Sequence, residues 1–345
     1  MSQPLCAIVI PVYDQVDYTR ACVASILAHT AYPFRLFIVD DASAKPETAA
    51  YLRELQLAEP ERVRVVHNAK NLGYVGTVNH GLKYATAPYV VVMNNDTIVY
   101  PGWLSEMIAV AEKDPQIGIV NPQWDVIKKF KGGRDKFFAT HVLPHKGEYI
   151  ETDWARGCCY LTKRCVIDKI GGLDEAFAPA YYDDWDYSMR AMAVGYICVR
   201  ALGAFVFHIK NVTYSVCGPE NQINTLIDQK GIIFYQRWGK PLKLLIIDDG
   251  VPAEMTSRVR DLLRGQNRVV VVSSRSVAFQ HTNLKVVQVP RWAVRITSAL
   301  ILVDDARYAK AKRFHLVIEG KEAAAFFAGQ ASDSQEKMQK MKFET

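Results

Sequence analysis

In YVVVMNNDTIVYPGWL, residues 89–104, an apolar run from Tyr89 to Met93 ends on Asn94-Asn95-Asp96. A turn at Pro101-Gly102 and an apolar helix start follow. Two amides and a carboxylate at the end of a buried strand have two readings: a polar end that caps a turn, or a group that holds a metal ion at the mouth of a sheet. The surroundings decide what kind of sheet this is. Upstream, Leu5–Pro11, Phe34–Val39 and Val63–His67 read as strands. Asp17–Thr30 with Asp17 as N-cap, Pro46–Leu57 with Pro in its first turn, and Tyr74–Ala85 read as helices. Downstream, Gly102–Glu112 reads as a helix and Ile117–Val120 as a strand. Strand and helix alternating at this spacing imply an α/β fold with a mostly parallel, doubly wound sheet. Continuous Val/Ile/Leu strands fit, because such strands are covered on both faces.

The middle of the chain is less regular. Asp125–Tyr149, rich in Lys, Gly and aromatics, reads as an irregular loop. Gly157–Leu161 and Ala204–His208 read as strands; Lys163–Ile170, Asp184–Val194 and Pro219–Trp238 as helices. The alternation restarts after Gly239, with strands at Leu242–Ile247, Arg268–Val272, Leu284–Val289 and His315–Ile318 and a helix at Ala253–Arg264. The expected organisation is a catalytic domain over 1–239, a small α/β Rossmann-like domain over 240–330, and a polar tail over 331–345.

Lys and Arg number 42 and Asp and Glu 36, for a net charge of +6. That suits an anionic ligand or an anionic membrane surface without demanding either. No Lys/Arg block is dense enough for a nucleic-acid footprint. The seven cysteines include no C-x-x-C pair, which disfavours a zinc ribbon or a redox motif and fits buried thiols in a reducing compartment. The N-terminus lacks the pattern of a signal peptide, and no apolar run reaches the ~18 residues of a membrane span. The expected location is cytoplasmic, with peripheral contact at the inner face of the cell membrane permitted. N-x-T sequons at Asn95 and Asn211 would then stay unmodified.

Ligands of an open parallel sheet bind beyond the carboxyl ends of its strands. Pro11, Val12, Tyr13 and Asp14 stand there after the first strand; Asp40, Asp41 and Ser43 after the second; Asn68, Asn71 and Gly73 after the third; Asn94, Asn95 and Asp96 after the fourth. Any one alone reads as a cap, but four together make a rim for a charged, polyhydroxylated ligand. Tyr13 suits stacking on a base or plain loop packing, and Asp41 suits a base N–H or a ribose hydroxyl. No G-x-G-x-x-G follows the first strand, and no G-x-x-x-x-G-K-[ST] occurs. A second cluster, YYDDWDYSMRAMAVGY (181–196), sets Asp183, Asp184 and Asp186 among aromatics. Such crowding raises a carboxyl pKa toward that of a general base; the bland alternative is a helix N-terminus favouring negative charge. His208 closes the strand GAFVFHIK. A lone His there is more often structural, but beside Asp96 it would complete a pair suited to Mn²⁺ or Mg²⁺ shared with diphosphate oxygens and water.

These stretches resemble the family 2 glycosyltransferases, inverting enzymes of the A-type glycosyltransferase (nucleotide-diphospho-sugar transferase) fold, and within them the rhamnosyltransferase-like branch. The matching segments are IVIPVYDQVDYTRACVASILAHT, FIVDDAS, NLGYVGTVNHGLKYA, VVMNNDTIVYPGWL, GGLDEAFAPAYYDDWDYSMRAMAVGY and FVFHIKN, in family order over about residues 5–240. The resemblance implies that Asn94-Asn95-Asp96 stands at the family's D-x-D motif, with Asn94 replacing the first Asp. It implies Asp96 and His208 as ligands of Mn²⁺ or Mg²⁺. It implies Asp184 of the Asp183-Asp184 pair as the base. Nucleotide contacts are implied at Pro11, Tyr13, Asp14 (where Asn is commoner), Asp41, Asn71, Gly76 and Asn95, and acceptor or donor loop positions at Trp154, Gly157 and Trp185. The implied reaction moves a sugar from a nucleoside-diphosphate donor, UDP- or dTDP-linked ahead of GDP-linked, to a hydroxyl of a glycan or lipid-linked acceptor by single displacement. A catalytically silent nucleotide-sugar or glycan-binding module is the alternative. A nucleotidyltransferase would carry a Gly-rich basic loop where this chain has PVYDQVDY.

Overall fold

The computed structural model describes residues 6–124, 130, 132–209, 220–248, 255–274, 279–305 and 314–319. Asn211, Asp249-Gly250, part of the 125–149 segment and the 331–345 tail lie outside them. In chain order the elements are β1 (Cys6–Val12), α1 (Val16–His29), β2 (Phe34–Asp40), α2 (Pro46–Ala58), β3 (Val63–His67), α3 (Gly73–Leu82), β4 (Tyr89–Met93), β5 (Thr97–Val99), α4 (Trp103–Ala111), β6 (Ile117–Gln123), α5 (Gly133–Phe137), β7 (Tyr149–Thr152), β8 (Cys159–Lys163), α6 (Arg164–Ile170), α7 (Asp183–Ala193), β9 (Ile197–His208), α8 (Glu220–Trp238), β10 (Lys243–Asp248), α9 (Met255–Arg264), β11 (Arg268–Ser273), β12 (Leu284–Gln288), α10 (Val294–Asp305) and β13 (Leu316–Glu319). Contacts divide the chain into two units, one of Met1–Ile150 with Trp154–Ile232, the other of Glu151–Asp153 with Ile233–Thr345.

In the first unit the strands run β3-β2-β1-β4-β8-β6-β9-β5. β1 is parallel to β2 and β4, and β2 to β3. The alternation of β1 explains why both faces are covered. Cys6, Ile8, Ile10 and Val12 enter one buried cluster, Ala7 and Val9 the other. α3 lies on the second face, so close that a Cβ on Gly81 would meet Val9 Cγ1 at 2.5 Å and Val39 Cγ2 at 2.9 Å. β8 enters antiparallel between β4 and β6, and β5 pairs antiparallel with the end of β9. In the second unit a parallel sheet ordered β12-β11-β10-β13 is again covered twice: Leu244 and Ile246 face one cluster, Leu245 and Ile247 the other. No helix among the described residues is long and apolar enough to cross a membrane.

Four local expectations change. Asp17 does not cap α1: Gln15 precedes the helix in a left-handed conformation, with no side-chain cap. The 125–149 segment is not simply irregular. Gly133–Phe137, Phe138–Val142 and Leu143–His145 form short helical turns, pinned by Phe137 against Phe205 at 5.5 Å. Such pieces are too short to show a helical period. β9 begins at Ile197, seven residues before the expected Ala204, and α10 was not foreseen.

Candidate active site

A cavity of about 610 Å³ opens at the carboxyl ends of the first unit's strands. Pro11 and Tyr13 reach it after β1, Asp41 after β2, Asn71 after β3, Asn94, Asn95 and Asp96 after β4, and His208 from the end of β9. The first three of these segments are successive βα turns, as the strand pattern implies, and the fourth joins β4 to β5.

The antiparallel register of β5 and β9 pairs Thr97 with His208, which brings Asp96 beside the imidazole. His208 Nε2 lies 3.1 Å from Asp96 Oδ1. Asp96 is 4% exposed. Its Oδ1, like the Oδ1 of Asn94, is buried and without a hydrogen-bond partner. Buried polar atoms are normally satisfied, so the Asp96 oxygen beside the ring nitrogen fits a cation as the missing partner. Among the described residues no three His, Cys, Asp or Glu side chains gather as a closed metal cage. The residues therefore suit an ion that completes its shell from the ligand's oxygens and water. Asn95 turns inward instead, its Nδ2 donating to Thr19 Oγ1 at 2.9 Å.

Asp41 ties the turn after β2 to the start of α3. Its Oδ1 accepts from Asn68 Nδ2 and Leu72 N, both at 2.7 Å, and its Oδ2 from Gly73 N at 2.9 Å. These bonds fix the start of α3. Gly73 itself has φ +71°, and a Cβ there would sit 2.6 Å from Pro179 Cβ. Only glycine relaxes both constraints, so the loop before α7 packs directly on the turn that Asp41 holds. Val75 N donates to Pro179 O across the same contact.

That loop delivers the acidic cluster. Tyr181 and Tyr182 both have positive φ, and Asp183 opens α7. The three carboxylates part company there. Asp186 is fully buried and bonded at 2.7 Å to Arg190 Nε, whose other nitrogens donate to Ile170 O and Gly172 O. Asp183 is 5% exposed, and burial, with the Asp184 charge next to it, pushes its carboxyl up to about 8. Asp184 keeps partial exposure. Burial raises its carboxyl too, opposed by the amides of Gly157 and Trp185 and by the charge of Arg156. Gly157 N donates to Asp184 Oδ2 at 2.8 Å and Trp185 N to Oδ1 at 2.9 Å. Gly157 lines the cavity, so Asp184 stands directly behind its wall.

The remaining expected positions sort themselves by contact. Asp14 does not reach the cavity; its carboxylate accepts from Lys45 N at 2.9 Å, joining two βα turns. Gly76 lies within α3, away from the cavity wall. Trp154 and Trp185 stack on each other at 4.4 Å, beside the cavity rather than in its wall. Wall residues that the sequence did not single out include Thr77, Trp124 and, from α8, Ile223 and Leu226, whereas Arg156, Cys158 and Tyr181 fall in the 154–158 turn and the acidic cluster that it did mark. Burial pushes the Cys158 thiol up to about 12, so it is no nucleophile. Arg156 stands between Ala155 and Gly157, in the 154–158 turn WARGC.

A sheet of this order, with its cavity at a D-x-D-like turn, defines an α/β nucleotide-diphospho-sugar transferase fold. The structure of GalNAc-T7 with UDP, GalNAc and Mn²⁺ shares it, at a TM-score of 0.51 and 16% identity, over 60% of this chain and 44% of that one. Residues 7–170 match the model for Glycosyl transferase family 2. An uncharacterized protein of Sinorhizobium fredii is 27% identical over 59% of this chain and 24% of its own length. The O-antigen biosynthesis protein RfbC of Myxococcus xanthus is 30% identical over 50% of this chain and 15% of its own length. The chain thus spans a quarter or less of these relatives.

Proposed function

We propose that this protein transfers a sugar from a nucleoside-diphosphate donor to a hydroxyl of a glycan or lipid-linked acceptor, with inversion. The observation that carries it is one cavity in which the Asp96–His208 pair and the Asp41 turn meet the Gly157 wall that holds Asp184. The partly exposed Asp184, rather than the buried Asp183, takes the proton from the acceptor O–H. The freed oxygen forms its bond to the anomeric carbon as the bond from that carbon to phosphate oxygen breaks, and the electron pair leaves with the nucleoside diphosphate. Asp96 and His208 would hold Mn²⁺ or Mg²⁺, which when bound supplies charge neutralisation for the diphosphate. Tyr13, Asp41 and Asn71 line the end of the cavity suited to the nucleoside, with UDP or dTDP as the preferred carrier. Two similar proteins support this: the structure of GalNAc-T7 holds UDP, GalNAc and Mn²⁺, and RfbC is an O-antigen biosynthesis protein. The work place that fits is the inner face of a membrane bearing the acceptor.

Product analysis tests it. Incubation with a panel of nucleotide sugars and glycan acceptors should release free nucleoside diphosphate and a glycoside of inverted anomeric configuration. Pyrophosphate release would mean nucleotidyl transfer, and saturable donor binding without product would mean a binding module.

A further inference from the structure

Five side chains form one continuous stack around the proposed base. The Arg156 guanidinium lies 4.8 Å from the Trp124 ring centroid and 4.1 Å from that of Trp154. Trp154 stacks on Trp185 at 4.4 Å, and Trp185 meets Tyr182 edge-on at 5.2 Å. Tyr182 and Trp185 flank the Asp183-Asp184 pair in sequence, and the residue after Arg156 donates its amide to Asp184. The stack therefore welds the 154–157 turn to the start of α7. Cation–π contacts with two indoles hold a guanidinium in place. Arg156 also belongs to the cavity wall, where it is the one permanent cation among the described wall residues.

We propose that Arg156 is a positioning residue, clamped by Trp124 and Trp154 so that its charge keeps Asp184 ionised and oriented as the base. This rests on the transferase reading above. The need is physical. Asp184 is crowded by the acidic groups of its own helix, Asp183 and Asp186, the latter already paired with Arg190. Facing it from the neighbouring turn and strand are Cys158 and Tyr160, both titratable and neither positively charged. Burial, with the Asp183 carboxyl next to it, favours the protonated form, which cannot accept a proton; Cys158 and Tyr160 stay neutral there and supply no opposing charge. Arg156 is the opposing charge.

The test titrates Asp184 directly in the full chain by ¹³C NMR of carboxyl-labelled aspartate, its signal identified by its loss in Asp184→Asn. In Arg156→Gln the midpoint should rise by about one unit, a tenfold gain in proton affinity. Arg156→Lys should restore more than half of that difference. Trp124→Leu, which keeps the charge and opens the clamp, should give an intermediate rise. An unmoved midpoint in Arg156→Gln, or an equal rise in the Lys variant, would overturn the proposal. Should circular dichroism show that Arg156→Gln does not fold, Trp124→Leu decides, and an unmoved midpoint there overturns it as well. Calorimetry of UDP and dTDP with Mn²⁺ on the same samples separates the two ideas. Absent metal-dependent binding in the wild type sinks the transferase reading, whereas a fixed Asp184 midpoint with intact binding sinks only the role of Arg156.

Discussion

At the scale of single residues, Asp183 and Asp184 differ by one position and stand in different environments. The first residue is buried; the second is half-buried, its carboxylate held by two amides, one of them from the cavity wall. Asp184→Asn should keep nucleotide-diphosphate affinity within about twofold and lower turnover by ~10²–10⁴, the usual contribution of a general base. Equal turnover in that variant would remove Asp184 from the mechanism. The pH dependence follows from the raised carboxyl. The base works ionised, so activity falls as pH drops through its pKa, and burial places that limb above the ~3.9 of an ordinary aspartate. A rate profile flat down to pH 4 would contradict it.

At the scale of elements, the site depends on how closely α3 lies on the sheet, because α3 begins at the turn that Asp41 holds and Pro179 covers. Gly81 sets that distance. Alanine would gain up to ~1 kcal/mol of helix propensity, but its Cβ would press on the β-branched side chains of Val9 and Val39, which have no flexible end to move aside. Overpacking of this kind costs ~1–3 kcal/mol. Gly81→Ala should therefore lower the denaturant midpoint by a net ~1 kcal/mol or more. An unchanged or raised midpoint would show that the helix can lift without loss. The β5–β9 pairing is the other positioning device, since the Thr97–His208 register is what makes neighbours of two residues 112 positions apart (208 minus 96).

At the scale of the molecule, the first unit carries the whole cavity, from β1 to α8. A ligand that fills it and ignores the unfolded chain stabilises by mass action. A nucleoside diphosphate at ~100 times its dissociation constant, with Mn²⁺, should add ~2.7 kcal/mol. Asp96→Asn should lose the part of the thermal shift that requires the metal and keep the part that the nucleotide gives alone. The same shift with and without Mn²⁺ in the wild type would take the metal out of the Asp96–His208 pair.

The family was legible in the sequence because its evidence is local. Strand and helix periods, polar residues at strand ends and the acidic turn are each written in consecutive residues, and parallel strands force those ends to one side. Asp41, Asp96 and His208 were found that way. What the sequence could not carry was direction. Asp14 sits on the same turn as wall residues yet its carboxylate turns toward Lys45, and Asn95, though in the wall, turns its amide toward Thr19. Trp124 and Arg156, 32 positions apart (156 minus 124), become neighbours only through the packed turn beside β8. The short helical turns between 133 and 145 exist because Phe137 has Phe205 to rest on. Local chemistry determined which kind of site this chain builds, and tertiary packing decided which side chains face it, because orientation is fixed by contacts that no stretch of sequence contains.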